Sequence, residues 1–180
     1  MAITILEVEQ NSEEWHKARE DLVTGSIADD LLTKGLSHAL KHNLNRFRGN
    51  FYTKRGLILE KEAVEIYEEI HGVKLQRPGM IKNSEYPNAG CSPDAIDLSI
   101  ECLIEIKCFG EENHNFIQNE TSIPFKIMAQ LQFNMMICGL SQAQLIMYNP
   151  DLEDNHQAYR EIEVKANKAI QQNMARKLRS

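Results

Sequence analysis

Apolar residues recur at threes and fours along Arg55 to Ile70, where Leu59, Ala63, Ile66, Tyr67 and Ile70 share one side of a helix. Gly72 supplies its stop. A shorter helix is signalled by Asn11-Ser12-Glu13-Glu14 before Trp15, with Asn11 or Ser12 as cap, and should run to about Glu20. Thr24-Gly25-Ser26 breaks it, and a second helix from Ser26 carries Ile27, Leu31 and Leu32 on one face. Residues 36–50 are polar and basic and read as partly helical. Val73 to Ile81, around Pro78-Gly79, reads as strands or a hairpin, and Asn88-Ala89-Gly90 is turn material. Cys91 to Ile96 is a short strand, and Asp97-Leu98-Ser99 the turn after it. Glu101 to Phe109 is apolar on both sides, as a central strand is. Pro124 to Cys138 is a strongly apolar helix and Ala143 to Tyr148 a strand. Tyr159 to Lys165 alternates like a half-exposed strand, and a basic helix follows over about 166–180. Helices, then a hairpin-rich sheet, then helix, strand, strand and helix describe one α/β domain over 1–180 with a mixed central sheet flanked by helices.

Composition narrows this picture. With 180 residues, 42% of them hydrophobic, the chain has enough apolar side chains for a sizeable core. No apolar run reaches eighteen residues, and MAITILEVEQ has neither the basic start nor the cleavage site of a signal peptide, so a cytoplasmic protein is expected. Cys91, Cys102, Cys108 and Cys138 form no C-x-x-C pair, and buried free thiols are expected rather than a zinc or iron–sulfur site.

The net charge of −6 argues against a protein that simply coats DNA. The charge is unevenly spread, however. No acid occurs from Leu31 to Leu59, where Lys34, Lys41, Arg46, Arg48, Lys54 and Arg55 lie, nor from Val164 to the end of the chain. Acid is concentrated elsewhere, a pattern that suits an acidic metal site bordered by basic tracks for phosphates, or simply two solvated basic helices.

The chemistry centres on Ser92-Pro93-Asp94 and Ile104-Glu105-Ile106-Lys107-Cys108. Strand alternation puts Glu105 and Lys107 on one face, and a turn between residues 96 and 101 can fold Asp94 back beside Glu105. Two carboxylates about 4 Å apart repel by about 4 kcal/mol at an effective dielectric near 20, so they need a lysine, a metal ion or a proton. Hard oxygen ligands favour Mg2+, with Mn2+ able to substitute, and the Ile106 carbonyl is a further candidate ligand. Pro150-Asp151 with Glu163-Val164-Lys165 matches the same loose pattern. That copy sits on a polar strand whose charged face is solvated, whereas Glu105 and Lys107 lie in an apolar strand, where charge needs a reason. Glu60, on the long helix, is a third carboxylate that can reach a metal directly or through water. On its own it reads as a solvated acid like Glu62 or Glu65.

These residues resemble the lambda-type (YqaJ-like) viral recombination exonucleases, of PD-(D/E)xK type. Four blocks carry the likeness in family order: Trp15-His16-Lys17-Ala18-Arg19 with Val23-Thr24-Gly25-Ser26; Gly56 to Glu60; Cys91-Ser92-Pro93-Asp94 with Ile104 to Cys108; and Met128-Ala129-Gln130-Leu131-Gln132. The resemblance implies a restriction-endonuclease-like fold. It implies Asp94, Glu105, the Ile106 carbonyl and Glu60 as metal ligands, with Lys107 as the catalytic lysine. Arg19, Ser26 and Gln130 are similar to residues that hold a terminal 5′-phosphate; Gln132, two positions on, faces elsewhere. The implied reaction is Mg2+-dependent 5′-to-3′ degradation of one strand of linear duplex DNA to 5′-mononucleotides, leaving a 3′ strand for a single-strand annealing protein. The implied assembly is a homotrimeric ring in a bacterial or phage-infected cell. The region from Thr33 to Arg55 and the C-terminal tail match poorly. The alternatives are another nuclease of the same type, acting on single strands or on particular structures, and a DNA-binding or annealing module without catalysis. Trp15 and His16 read as packing residues.

Overall fold

The computed structural model of the chain describes residues 1–46 and 54–180; Arg48 and the rest of 47–53, within the segment expected to be partly helical, lie outside the described residues. The elements are β1 (Ile3–Leu6), α1 (Glu13–Arg19), a 3-10 turn at Gly25–Ile27, α2 (Ala28–Lys34), α3 (Leu36–Arg46), α4 (Lys54–His71), β2 (Met80–Asn83), β3 (Gly90–Cys91), β4 (Ala95–Asp97), β5 (Cys102–Lys107), α5 (Glu111–Phe116), α6 (Phe125–Cys138), β6 (Gln142–Tyr148), α7 (Asn155–Ala158), β7 (Tyr159–Lys165) and α8 (Lys168–Leu178). Ser12 is the cap of α1: its hydroxyl accepts the Trp15 N–H at 3.2 Å. Gly72 ends α4 with φ of 65°, a left-handed conformation that a side chain would strain.

Two sheets form. β1, β2 and β3 are antiparallel, and a second sheet runs β4-β5-β6-β7 with β5 and β6 parallel. Parallel neighbours need a crossover, which α5 and α6 provide. The alternation of β5 divides the core. Leu103 faces one cluster, built with Leu131, Met135, Leu145 and Val164 around α6, α2 and α8. Cys102, Ile104 and Ile106 face a second cluster with Leu59, Ala63, Val64 and Tyr67 of α4. The mixed sheet is therefore covered on both faces, and β5 is central, as its two-sided apolar character requires.

Four expectations change. Val73 to Ile81 forms no hairpin; only β2 begins there, and Gln76 makes an isolated bridge to Ile96. Pro78 lacks an N–H for a ladder, and Gly79 lets the backbone at Leu6 and Val8 approach so closely that a Cβ would collide with it. Cys91 to Ile96 splits into β3 and β4 in different sheets, with Ser92-Pro93-Asp94 crossing between them. Asp97 belongs to β4 and the turn falls at residues 98–101, where Glu101 has φ of 51°. Ile70, expected on the buried face of α4, is exposed, while Val64 takes a core position. β1, α5 and α7 were not anticipated. Among the described residues no helix is long and apolar enough to cross a membrane.

Candidate active site

The hairpin of β4 and β5 sets the geometry. Ala95 pairs with Ile104, so Asp94, one residue beyond the ladder, comes opposite Glu105 on the α6 side of the sheet. Asp94 Oδ2 accepts the Ile106 N–H at 2.7 Å, which fixes its side chain against β5. Glu105 is buried at 3% exposure and Lys107 lies on the same face; Lys107 Nζ donates to Glu105 Oε1 at 3.0 Å. From α6, Gln130 closes a triangle: its Nε2 donates to Glu105 Oε1 at 2.8 Å and its Oε1 accepts from Lys107 Nζ at 3.0 Å. Gln132 faces away, bonded to the Lys165 carbonyl and the Asn167 N–H. Glu60 arrives from α4, the layer on the other side of the sheet, and is paired with Arg77.

A cavity of about 460 Å³ joins these groups to the second set of expected residues: Arg19, Ser26 and Gln130 line it together with Glu60, Asp94, Glu105 and Lys107. Arg19 lies with its guanidinium 4.0 Å from the Trp15 ring centroid and within 3.5 Å of the Thr24 hydroxyl, which lies 3.2 Å from that of Ser26. Trp15 is buried, and its indole N–H reaches the Gly79 carbonyl and Ser92 Oγ, each at 3.0 Å. The aromatic ring thus fixes the plane of Arg19 on one side and the Ser-Pro-Asp crossing on the other. Ser26 lies in a 3-10 turn rather than at the start of α2. The second PD…ExK copy forms no such site: Asp151 is an exposed partner of Arg55, and Glu163 pairs with Lys165 at the surface.

The electrostatics are those of crowded acids. Burial, then the charges of Glu105 and Glu60, push the Asp94 carboxyl well above the usual range, opposed by Lys107 and the Ile106 N–H. Burial likewise raises Glu60 despite Arg77. Glu105 Oε2 is buried with no hydrogen-bond partner among the described residues. A buried carboxylate oxygen without a donor, flanked by two more carboxylates, fits a hard divalent cation. The three acids share the cavity without closing on a single point. Among the described residues, the triplet of histidine, cysteine or acidic side chains whose ligand atoms all lie within 4.8 Å of one another is instead Asp30, His38 and His42, on α2 and α3.

Sequence reasoning missed Arg77, which pairs with Glu60 and donates from Nε to the Asp94 carbonyl at 3.2 Å, tying helix and strand acids together. It also missed Asn43, whose amide holds the carbonyls of Arg19 and Leu22 at 2.7 and 2.8 Å. The one available signal for Arg77 is the need of several buried acids for more than one cation. The cysteines are free: Cys91, Cys102 and Cys138 are buried and Cys108 partly so.

The model of the YqaJ-like viral recombinase domain family matches residues 14–141. No curated protein sequence matches the chain. Among solved structures, the chain is similar to the alkaline exonuclease LHK-Exo from Laribacter hongkongensis, at 24% identity over 93% of this chain and 89% of that one, with a TM-score of 0.79, or 0.77 for its complex with dAMP. A phage-related exonuclease from Haemophilus somnus 129PT is similar at 15% identity over 91% of this chain and 93% of that one, with a TM-score of 0.60. These likenesses are of fold, and the fold is the PD-(D/E)xK-like arrangement, a mixed sheet flanked by helices.

Proposed function

The chain belongs to the YqaJ-like viral recombinase domain family, and from that membership and its acidic cavity we propose that it is a Mg2+-dependent exonuclease. It degrades one strand of linear duplex DNA from the 5′ end, releasing 5′-mononucleotides and leaving a 3′ strand for a single-strand annealing protein. A nuclease role is supported by the family and by the names of the exonucleases that share the fold. The observation that carries the finer reading is that one cavity joins Glu60, Asp94, Glu105 and Lys107 to Arg19 and Ser26.

Asp94, Glu105, the Ile106 carbonyl and Glu60 are the residues to hold the ion, Mg2+ or in its place Mn2+. Such an ion neutralises phosphate charge and acidifies bound water. Lys107 offers an ammonium, held by Glu105 and Gln130, to a water or a phosphate oxygen at the scissile bond. Arg19 presents a planar fork already oriented by Trp15, so little side-chain freedom is lost when it grips a terminal 5′-phosphate. Ser26 adds a hydroxyl there, and Gln130 links this pocket to the lysine. Recognition of the 5′ terminus selects the strand to be degraded. A homotrimeric ring in a bacterial or phage-infected cell is the assembly proposed; light scattering on the purified protein checks it.

The test compares 5′-phosphorylated duplex, 5′-hydroxyl duplex and closed circles, with Mg2+ or with chelator. Mononucleotides from the phosphorylated linear duplex, in Mg2+ only, are expected. Cutting of closed circles would overturn the end-dependent reading.

A further inference from the structure

Asp30, His38 and His42 lie outside the acidic cavity and bring a different donor set together. Asp30 is on α2 and is buried at 6% exposure; the histidines are on α3, four residues apart, which places both on one helical face. Their ring centroids are 6.3 Å apart. Asp30 Oδ2 faces His42 Nδ1, while its Oδ1 takes Lys34 Nζ at 2.9 Å. His38 is exposed and His42 half-exposed, so an ion can enter from solvent without opening the core.

We propose that Asp30, His38 and His42 form a second metal site, one that takes a borderline transition ion, Zn2+ first among them, and clips α2 to α3. Two imidazoles and a carboxylate are a softer set than the oxygens of the acidic cavity, so the two sites sort cations by chemistry: Zn2+ to the imidazoles, Mg2+ to the oxygens. Three protein ligands leave a position for water. Lys34 has two effects. Its ammonium, 2.9 Å from Asp30 Oδ1, anchors the carboxylate whose other oxygen faces His42. Its charge also repels a cation and moderates the affinity. The clip has a consequence for the cavity. His42 is followed by Asn43, whose amide holds the carbonyls of Arg19 and Leu22, so an ion that fixes α3 also fixes the backbone that presents Arg19.

The test uses full-length protein stripped by chelator and titrated calorimetrically with Zn2+, in wild type and in an Asp94→Asn background that lacks a ligand of the acidic cavity. One equivalent is expected in both. His38→Gln changes an exposed side chain and leaves the core intact; circular dichroism checks this. It should weaken Zn2+ binding at least about tenfold, a bound set by what even outer-shell metal-site changes cost. Asp30→Asn should do the same, and Lys34→Met should tighten binding. Absence of Zn2+ binding by the wild type, equal affinity in wild type and His38→Gln, or binding that disappears with Asp94→Asn and survives His38→Gln would each overturn the site. None of these readouts depends on nuclease activity, so failure here leaves the exonuclease proposal standing, and the reverse also holds.

Discussion

Replacing Asp94 with Asn removes one charge from the acidic cavity and keeps the shape that holds it. The amide oxygen can still accept the Ile106 N–H that Asp94 Oδ2 now takes at 2.7 Å. Asp94 continues the β4–β5 register opposite Glu105, and opposed residues of an antiparallel pair carry Cβ atoms about 5 Å apart. Two carboxylates at about 5 Å repel by about 3 kcal/mol at an effective dielectric near 20. Lys107, bonded to Glu105 at 3.0 Å, offsets part of this. About 1–2 kcal/mol of repulsion should therefore remain without metal. Asp94→Asn is expected to raise metal-free stability by that amount, about 2–8 °C in Tm for a chain of this size. Cleavage should fall about a hundredfold or more, as when a group that stabilises transition-state charge is lost. The stabilisation conferred by Mg2+ should shrink as well, since the proposal makes Asp94 one of the groups that hold the ion. Urea unfolding at pH 8 with chelator and with Mg2+, beside a gel assay on 5′-phosphorylated duplex, reads all three. A variant less stable than wild type without metal would refute the reasoning, because Asp94 would then be a stabilising ion-pair partner rather than a ligand kept at a cost.

Lys107→Ala should abolish Mg2+-dependent cleavage while leaving duplex binding nearly unchanged by gel shift; full activity would remove the proposed centre. Arg19→Ala should lower the rate on 5′-phosphorylated ends more than on 5′-hydroxyl ends, and equal losses would mark Arg19 as structural. Tyr67 donates to Asp97 at 2.8 Å with both residues buried, so Tyr67→Phe should cost about 1.5–3 kcal/mol at pH 7, the range for a hydrogen bond to a charged group. Burial pushes the Asp97 carboxyl up, but the hydrogen bonds of Ser99 and Tyr67 outweigh it and leave it below the usual range. That stability is present above the unfolded carboxyl pKa of about 4 and is lost as pH falls through the folded value, so the Tyr67→Phe penalty should shrink in acid. Gly25→Ala places a Cβ into the Asn134 amide and should cost about 1–3 kcal/mol by overpacking, read by urea unfolding.

The elements legible in the sequence are those whose period is enforced by burial. α4, α6, β5, β6 and β7 each show their period or their two-sided apolar run, and each was placed to within a few residues. The segments that went wrong are those where a single residue serves two structures. Pro78-Gly79 carries the signature of a turn, yet Gly79 is needed for close passage of the β1 end, a contact from some seventy residues earlier in the chain. Ser92-Pro93-Asp94 looks like part of one strand, yet it crosses between two sheets, because the proline cannot donate to a ladder. β1 has only four residues and is half-exposed, so no pattern announced it.

At the candidate site, the convergence of Asp94, Glu105 and Lys107 on one face was legible because charge in an apolar strand has few explanations and strand alternation fixes its side. Glu60 was not legible from its helix: Glu62 and Glu65 share its helix, and only the position of α4 against the sheet separates them. Arg77 shows why. Its guanidinium is fixed by what lies across from it, Glu60 and the Asp94 carbonyl, and neither is near it in sequence. The two PD…ExK copies make the same point in reverse, since they are alike in spacing and differ in burial. Glu163 and Lys165 pair on an edge strand open to water, where a surface ion pair is worth about 0–1 kcal/mol and asks for no ligand. Glu105 holds one buried oxygen without a donor among the described residues, and that unmet demand, absent from the exposed pair, is what the proposed cation would answer.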